Sequence, residues 1–166
     1  GTPTTLAVGP NAVWLSTNQG LFRIRGNRLR PEKGLNALLN GENEIRQVAV
    51  CPDGRIAVAT QAGLYLRGTN EWKRIFPHTE SASWAVRDAR GVVFDQNNRL
   101  WSCSPQGVAC LDERWALFTG HEGLPYNDFT AVASGEDGVI WFGTELGAIR
   151  YDGLHWAYRE GRRWLP

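Results

Sequence analysis

The sequence predicts an all-β chain assembled from four similar small sheets, and three observations predict it. Turn glycines recur as Gly20, Gly63, Gly107 and Gly147, at spacings of 43, 44 and 40 residues. Nine residues before each lies a second turn residue, Asn11, Gly54, Asn98 or Gly138, of the kind that tolerates positive φ in a short hairpin connection. Between these turns run apolar stretches such as Val13-Trp14-Leu15, Ile56-Ala57-Val58-Ala59 and Val139-Ile140-Trp141-Phe142, near-continuous as in strands buried on both faces. A period of roughly 40 to 45 residues holding four strands is that of a β-propeller blade. The expected architecture is therefore a β-propeller segment of four antiparallel four-stranded blades, at about residues 4–30, 45–76, 91–118 and 129–158.

In the first repeat, strands are expected near Thr4–Val8, Val13–Thr17, Gly20–Ile24 and Arg28–Leu29. A long linker, residues 31–44, follows, and its Leu35-Leu38-Leu39 cluster predicts one helical turn. Ile45–Val50, Arg55–Thr60, Gly63–Leu66 and Trp72–Phe76 make the second repeat, and a polar loop from His78 to Arg87, around Trp84, breaks the pattern. The third repeat runs through Gly91–Phe94, Arg99–Cys103, Gly107–Leu111 and Trp115–Phe118. After a loop at residues 119–128, Thr130–Ala133, Ile140–Thr144, Ala148–Tyr151 and Trp156–Tyr158 complete the fourth. Six residues before the turn glycines stand Trp14, Ala57, Trp101 and Trp141, and eight or nine after them Leu29, Trp72, Trp115 and Trp156. Six of these are indoles, and Trp14, Trp101, Trp141, Trp72, Trp115 and Trp156 are expected to wedge between neighbouring sheets as core.

A formal net charge of +1 with 21% charged residues speaks against a nucleic-acid surface. No apolar run approaches the roughly 20 residues of a membrane-spanning helix, so this segment is expected not to insert in a membrane. Three cysteines, Cys51, Cys103 and Cys110, without regular spacing predict buried free thiols rather than a disulfide framework. Methionine is absent, and Arg163-Trp164-Leu165-Pro166 looks like the lead-in to another unit, which predicts an excised or processed piece of a longer chain. Four blades rarely close a ring, so the end sheets are expected to meet the remaining blades of a larger propeller of seven or more, a second copy, or one another in an unusual four-blade closure.

The last repeat carries Gly123-Leu124-Pro125-Tyr126-Asn127, Asp137-Gly138, Ile140-Trp141-Phe142-Gly143-Thr144, Gly147 and Tyr151-Asp152. This resembles the two-component regulator propeller repeat. Val13-Trp14-Leu15-Ser16-Thr17 with Gly20-Leu21, Thr60 with Gly63-Leu64, and Leu100-Trp101 with Gly107-Val108 are weaker copies. The resemblance implies a bacterial, periplasmic or extracellular sensing module of the kind that responds to glycans in histidine-kinase systems.

In a four-stranded blade the loops linking second to third strands, and one blade to the next, emerge on one face. His78, Trp84, Arg87, His121, Glu122, Tyr126, Asn127 and Asp128 would gather there. Aromatic rings beside carboxylates, an amide and a guanidinium suit a glycan or another small polar ligand, with ring faces stacking and hydroxyls hydrogen-bonded. For Asn127 the resemblance implies a second reading, as the cap of the turn into its strand. A polysaccharide lyase would need a His or Tyr base and an Arg to neutralise the uronate carboxylate, types that His78, His121, Tyr126 and Arg87 supply. No HExxH, CxxC, GxSxG or phosphate-loop motif organises them, so no catalytic residue, metal or cofactor is expected. A protein-binding scaffold, using Arg159, Arg162, Arg163 and Trp164, is the third alternative.

Overall fold

A computed structural model describes residues 1–41, 44–69, 71–84, 87–119, 124 and 128–160. The strands form four four-stranded antiparallel sheets in sequence order. The first comprises β1 (Pro3–Val8), β2 (Val13–Thr17), β3 (Gly20–Arg25) and β4 (Arg28–Pro31), followed by helix α1 (Lys33–Leu39). The second comprises β5 (Ile45–Val50), β6 (Ile56–Thr60), β7 (Gly63–Arg67) and β8 (Trp72–Ile75). Strands β9 (Gly91–Phe94), β10 (Leu100–Ser104), β11 (Gly107–Leu111) and β12 (Trp115–Phe118) make the third sheet. The fourth holds β13 (Phe129–Ser134), β14 (Ile140–Thr144), β15 (Gly147–Tyr151) and β16 (Trp156–Glu160). The expected helical turn is present, lengthened to seven residues.

The recurring glycine has a mechanical cause. Thr17 pairs with Gly20, Thr60 with Gly63 and Thr144 with Gly147, leaving two-residue hairpin loops. The threonine hydroxyl closes each loop, for instance Thr144 Oγ1 donating to the Gly147 carbonyl at 3.1 Å and accepting from its N–H at 3.1 Å. The glycines take φ from +114° to +155°, which a side chain disfavours. At Gly20 there is a second reason: a Cβ would lie 2.5 Å from Asn36 Oδ1. That amide on α1 accepts from the Leu21 N–H at 2.9 Å and donates to its carbonyl at 3.2 Å, binding a backbone stretch that β4 does not reach.

Two compact units result. Gly1–Phe76 with Ala85–Ala89 form one, and Pro77–Trp84 with Arg90–Pro166 the other. In the first, β1 and β2 pack on β5, and Trp14, Ile45, Val58 and Tyr65 are buried with Leu35 and Leu39 of α1. In the second, β9 and β10 pack on β13, and Trp101, Val108, Phe129, Ile140 and Phe142 form the core. Phe118 and Tyr151 pack on Trp101, with the Trp101 and Tyr151 centroids 5.3 Å apart, and Trp156 stacks on Tyr151 at 4.3 Å. Inner strands β1, β5 and β13 each carry a register irregularity near their start, which locally increases twist. Cys51, Cys103 and Cys110 are free and buried.

The tryptophan wedge needs a correction at Trp141, and a lesser one at Trp115, which is half-buried and outside both cores. Trp14 and Trp101 are buried, facing the second and the fourth sheet respectively, but Trp141 is 38% exposed. Side chains alternate across a strand, and the neighbouring sheet of its unit lies on the opposite face, where Ile140 and Phe142 are buried. Trp141 rests against Gly135 at its own sheet's first turn. At the other end, Leu6 and Val8 of β1 are exposed on the face turned away from Trp14.

Candidate functional site

Within the second unit, an open cleft of about 700 Å³ lies between the segment leading into the third sheet and the β11–β12 turn. Its first wall is a small hairpin: His78 bridges Ser83, the Thr79 N–H donates to the Ala82 carbonyl at 2.7 Å, and the Trp84 N–H to the Pro77 carbonyl at 3.0 Å. Ala82 N–H also donates to Thr79 Oγ1 at 3.1 Å, so the turn is fixed by its own side chain. The opposite wall is the turn Asp112-Glu113-Arg114, closed by the Asp112 N–H on the Arg114 carbonyl at 3.3 Å. Half-buried Leu111 and Trp115, at the ends of paired strands, supply apolar surface, while exposed His78, Glu80, Glu113 and Arg114 bring polar groups of both charges. An apolar surface with convergent polar groups is the usual make-up of a small-ligand site.

The expected ligand face is only partly described. His78 lines the cleft. Trp84 is half-buried with its ring over Gly107, where a Cβ would stand 2.9 Å from Trp84 Cη2. Asp128 pairs with Arg90 at 2.5 Å, and Arg90 also donates to the Phe129 carbonyl at 3.1 Å, so this carboxylate helps tie β9 to β13. Arg87 is exposed and belongs with the first unit. His121, Glu122, Tyr126 and Asn127 lie outside the described residues. Of the proposed scaffold residues, Arg159 is described, while Arg162, Arg163 and Trp164 are not.

Glu113 and Arg114 lie outside the expected set, whose loops leave the opposite end of the blade, and Trp115, expected as a core wedge, is half-buried in the cleft wall. A signal was present: Asp112-Glu113-Arg114 is a charged turn leading directly into an indole. Among the described residues there is no group of three or more His, Cys, Asp or Glu side chains arranged to hold a metal ion.

The sequence model of the two component regulator propeller family matches residues 123–145, from the loop before β13 to the β14–β15 turn. The chain carries a two-component regulator propeller repeat. Comparison with curated protein sequences gives no match. Solved structures similar to this propeller chain include a catalytically inactive virginiamycin B lyase from Staphylococcus aureus, crystallised with quinupristin. It is 14% identical, with a TM-score of 0.67, over 95% of this chain and 55% of the other. PorZ, a surface component of the type-IX secretion system of Porphyromonas gingivalis, is 16% identical, with a TM-score of 0.64, over 88% and 24%. The extracellular domain of a putative hybrid two-component system from B. thetaiotaomicron is 13% identical, with a TM-score of 0.50, over 97% and 28%. At these identities the likeness is one of fold, a β-propeller, and the chain spans about half or less of the structures it matches.

Proposed function

We propose that this chain supplies four blades of a periplasmic or extracellular sensor-type propeller that binds a carbohydrate or another small polar ligand in the cleft beside Trp115. The observation that carries the reading is the composition of that cleft. Indole and Leu111 surface is flanked by two carboxylates, a guanidinium and an imidazole, the set that stacks a sugar ring while bonding its hydroxyls. The repeat type, and the fold shared with an extracellular domain of a two-component system, support the sensing role and the location. The exposed faces bearing Trp141 and bearing Leu6 and Val8 support completion by further blades, in the parent chain or in a second copy.

The test is a glycan-array screen followed by calorimetry on the best hit, with the Trp115→Ala variant beside the unaltered chain. Removing a stacked indole should weaken binding by about tenfold or more. A hit that binds Trp115→Ala unchanged, or an array and polar-metabolite panel with no hit, would overturn the assignment.

A further inference from the structure

A second cavity, of about 170 Å³, lies in the first unit between its two sheets, next to the turns that join β1 to β2 and β5 to β6. Arg23, Arg25 and Arg67 line it together with Trp14, Asn11 and Thr69, and no carboxylate is among its described walls. Arg23 and Arg67 reach Trp14 from different sheets, their Cζ atoms 5.9 and 5.7 Å from the ring centroid. Neither they nor Arg25 forms an ion pair among the described residues, and Arg67 Nε is a buried donor without a hydrogen-bond acceptor there. Asp53, in the β5–β6 turn, is held by its own partner, Arg55, at 2.8 Å. Like charges converging beside an apolar ring repel one another, and a buried guanidinium N–H left unbonded is costly.

The third sheet shows how the same arrangement is neutralised. Arg99 lies over Trp101 at 5.8 Å, and the Asp95 carboxylate accepts from both, at 2.7 Å from Arg99 Nε and 2.9 Å from Trp101 Nε1. Asp95 opens its turn by donating its N–H to the Arg99 carbonyl at 3.0 Å. In the first sheet that place belongs to Gly9, whose N–H donates to the Ala12 carbonyl at 2.9 Å. A side chain is excluded there, because a Cβ would sit 2.6 Å from Val50 Cγ1. The cations have doubled and the built-in anion is gone.

We infer that the cavity bounded by Arg23, Arg25 and Arg67 is an anion site that takes a phosphate or sulfate group, the exogenous counterpart of the Asp95 carboxylate. Guanidiniums bind such oxyanions through paired, charge-assisted hydrogen bonds. The volume is below the roughly 300 Å³ at which pockets for drug-sized ligands begin. It therefore holds the oxyanion itself, either free or as the buried end of a larger molecule whose remainder stays outside.

The experiment is calorimetry and thermal unfolding of the whole chain in sodium phosphate, sodium sulfate and glucose 6-phosphate, against sodium chloride of equal ionic strength. Saturable binding with a rise in Tm beyond the chloride control is expected for phosphate and sulfate. Tighter binding of glucose 6-phosphate than of phosphate assigns the site to a borne group, and the reverse to a free ion. Arg67→Gln should weaken the anion at least tenfold, whereas Arg28→Gln, on exposed β4, should leave it unchanged. Should Arg67→Gln not fold, anomalous scattering from crystals of the unaltered chain soaked in selenate must show the ion between the three arginines. Equal Tm in phosphate, sulfate and chloride, an undiminished response in Arg67→Gln, or selenate elsewhere only would overturn the proposal.

Discussion

The indole N–H of Trp101 donates to Asp95 Oδ2 at 2.9 Å, and both side chains are about 1% exposed. The same carboxylate accepts from Arg99 Nε at 2.7 Å and, through Oδ1, from the Asn97 and Arg99 N–H groups at 2.9 Å each. Turn, ring and cation thus share one anion. Asp95→Ala should lower stability by about 1–3 kcal/mol, the cost of leaving a buried donor unsatisfied. Arg99 is 30% exposed and can rehydrate, which keeps the loss below that of a fully stranded buried charge. Urea unfolding measures it, and an unchanged midpoint would show that the bond contributes nothing.

Acid should find the same site. Burial opposes ionisation of Asp95, but the hydrogen bonds from Trp101 and Arg99 outweigh it, and its carboxyl is held below the usual carboxylate value. A group with a depressed folded pKa stabilises above its unfolded pKa, and the contribution is lost as pH falls through the folded value. Tm should therefore be flat near neutrality and fall below about pH 4. In Asp95→Asn the fall should be shallower; an identical acid limb would assign it to other carboxylates.

Two tryptophans at equivalent repeat positions should differ in energetic weight. Trp101→Ala opens a cavity in a filled core and should cost about 3–5 kcal/mol. Trp141, 38% exposed, should cost less than that, because more than a third of its surface is already in water. Parallel chemical denaturation of the two variants decides the point, and equal losses would mean that the Trp141 face is covered in solution.

Gly20→Ala should destabilise by more than about 1 kcal/mol, since it forces a side chain onto φ +114° and drives Asn36 off the Leu21 backbone. Gly26→Ala, at φ +54° with nothing within 4 Å of the new methyl, carries only the backbone penalty. Comparing the two Tm values separates the crowding from the strain.

Burial pushes the Cys103 and Cys110 thiols up to about 12. Neither should react with a disulfide reagent such as DTNB in the native chain, and both should react on unfolding. Rapid labelling at neutral pH without denaturant would place them nearer the surface than described.

The strands were legible because turn chemistry and apolar runs agree locally, as at Thr144 and Gly147, where a hydroxyl and a positive φ close one hairpin. The exposure of Trp141 was not, because its motif matches that of Trp101 and only the sheet beyond it differs. Glu113 and Arg114 escape because they belong to a third-to-fourth strand turn, at the other blade end, and Trp115 because its repeat position reads as core. The arginine cavity is written in pieces far apart, Gly9 and Arg23 in one repeat and Arg67 in the next. Its clearest trace in the sequence is a missing acid, visible only once Asp95 shows what that turn can hold.

Trp14 and Trp101 each cover the sheet that follows within their own unit, whereas Leu6 and Val8 of β1 stay exposed. The exposed face bearing Trp141 in the second unit and the exposed face bearing Leu6 and Val8 in the first are chemically unlike, one offering an indole and the other branched aliphatics. A partner shaped to one of these surfaces is not thereby shaped to the other.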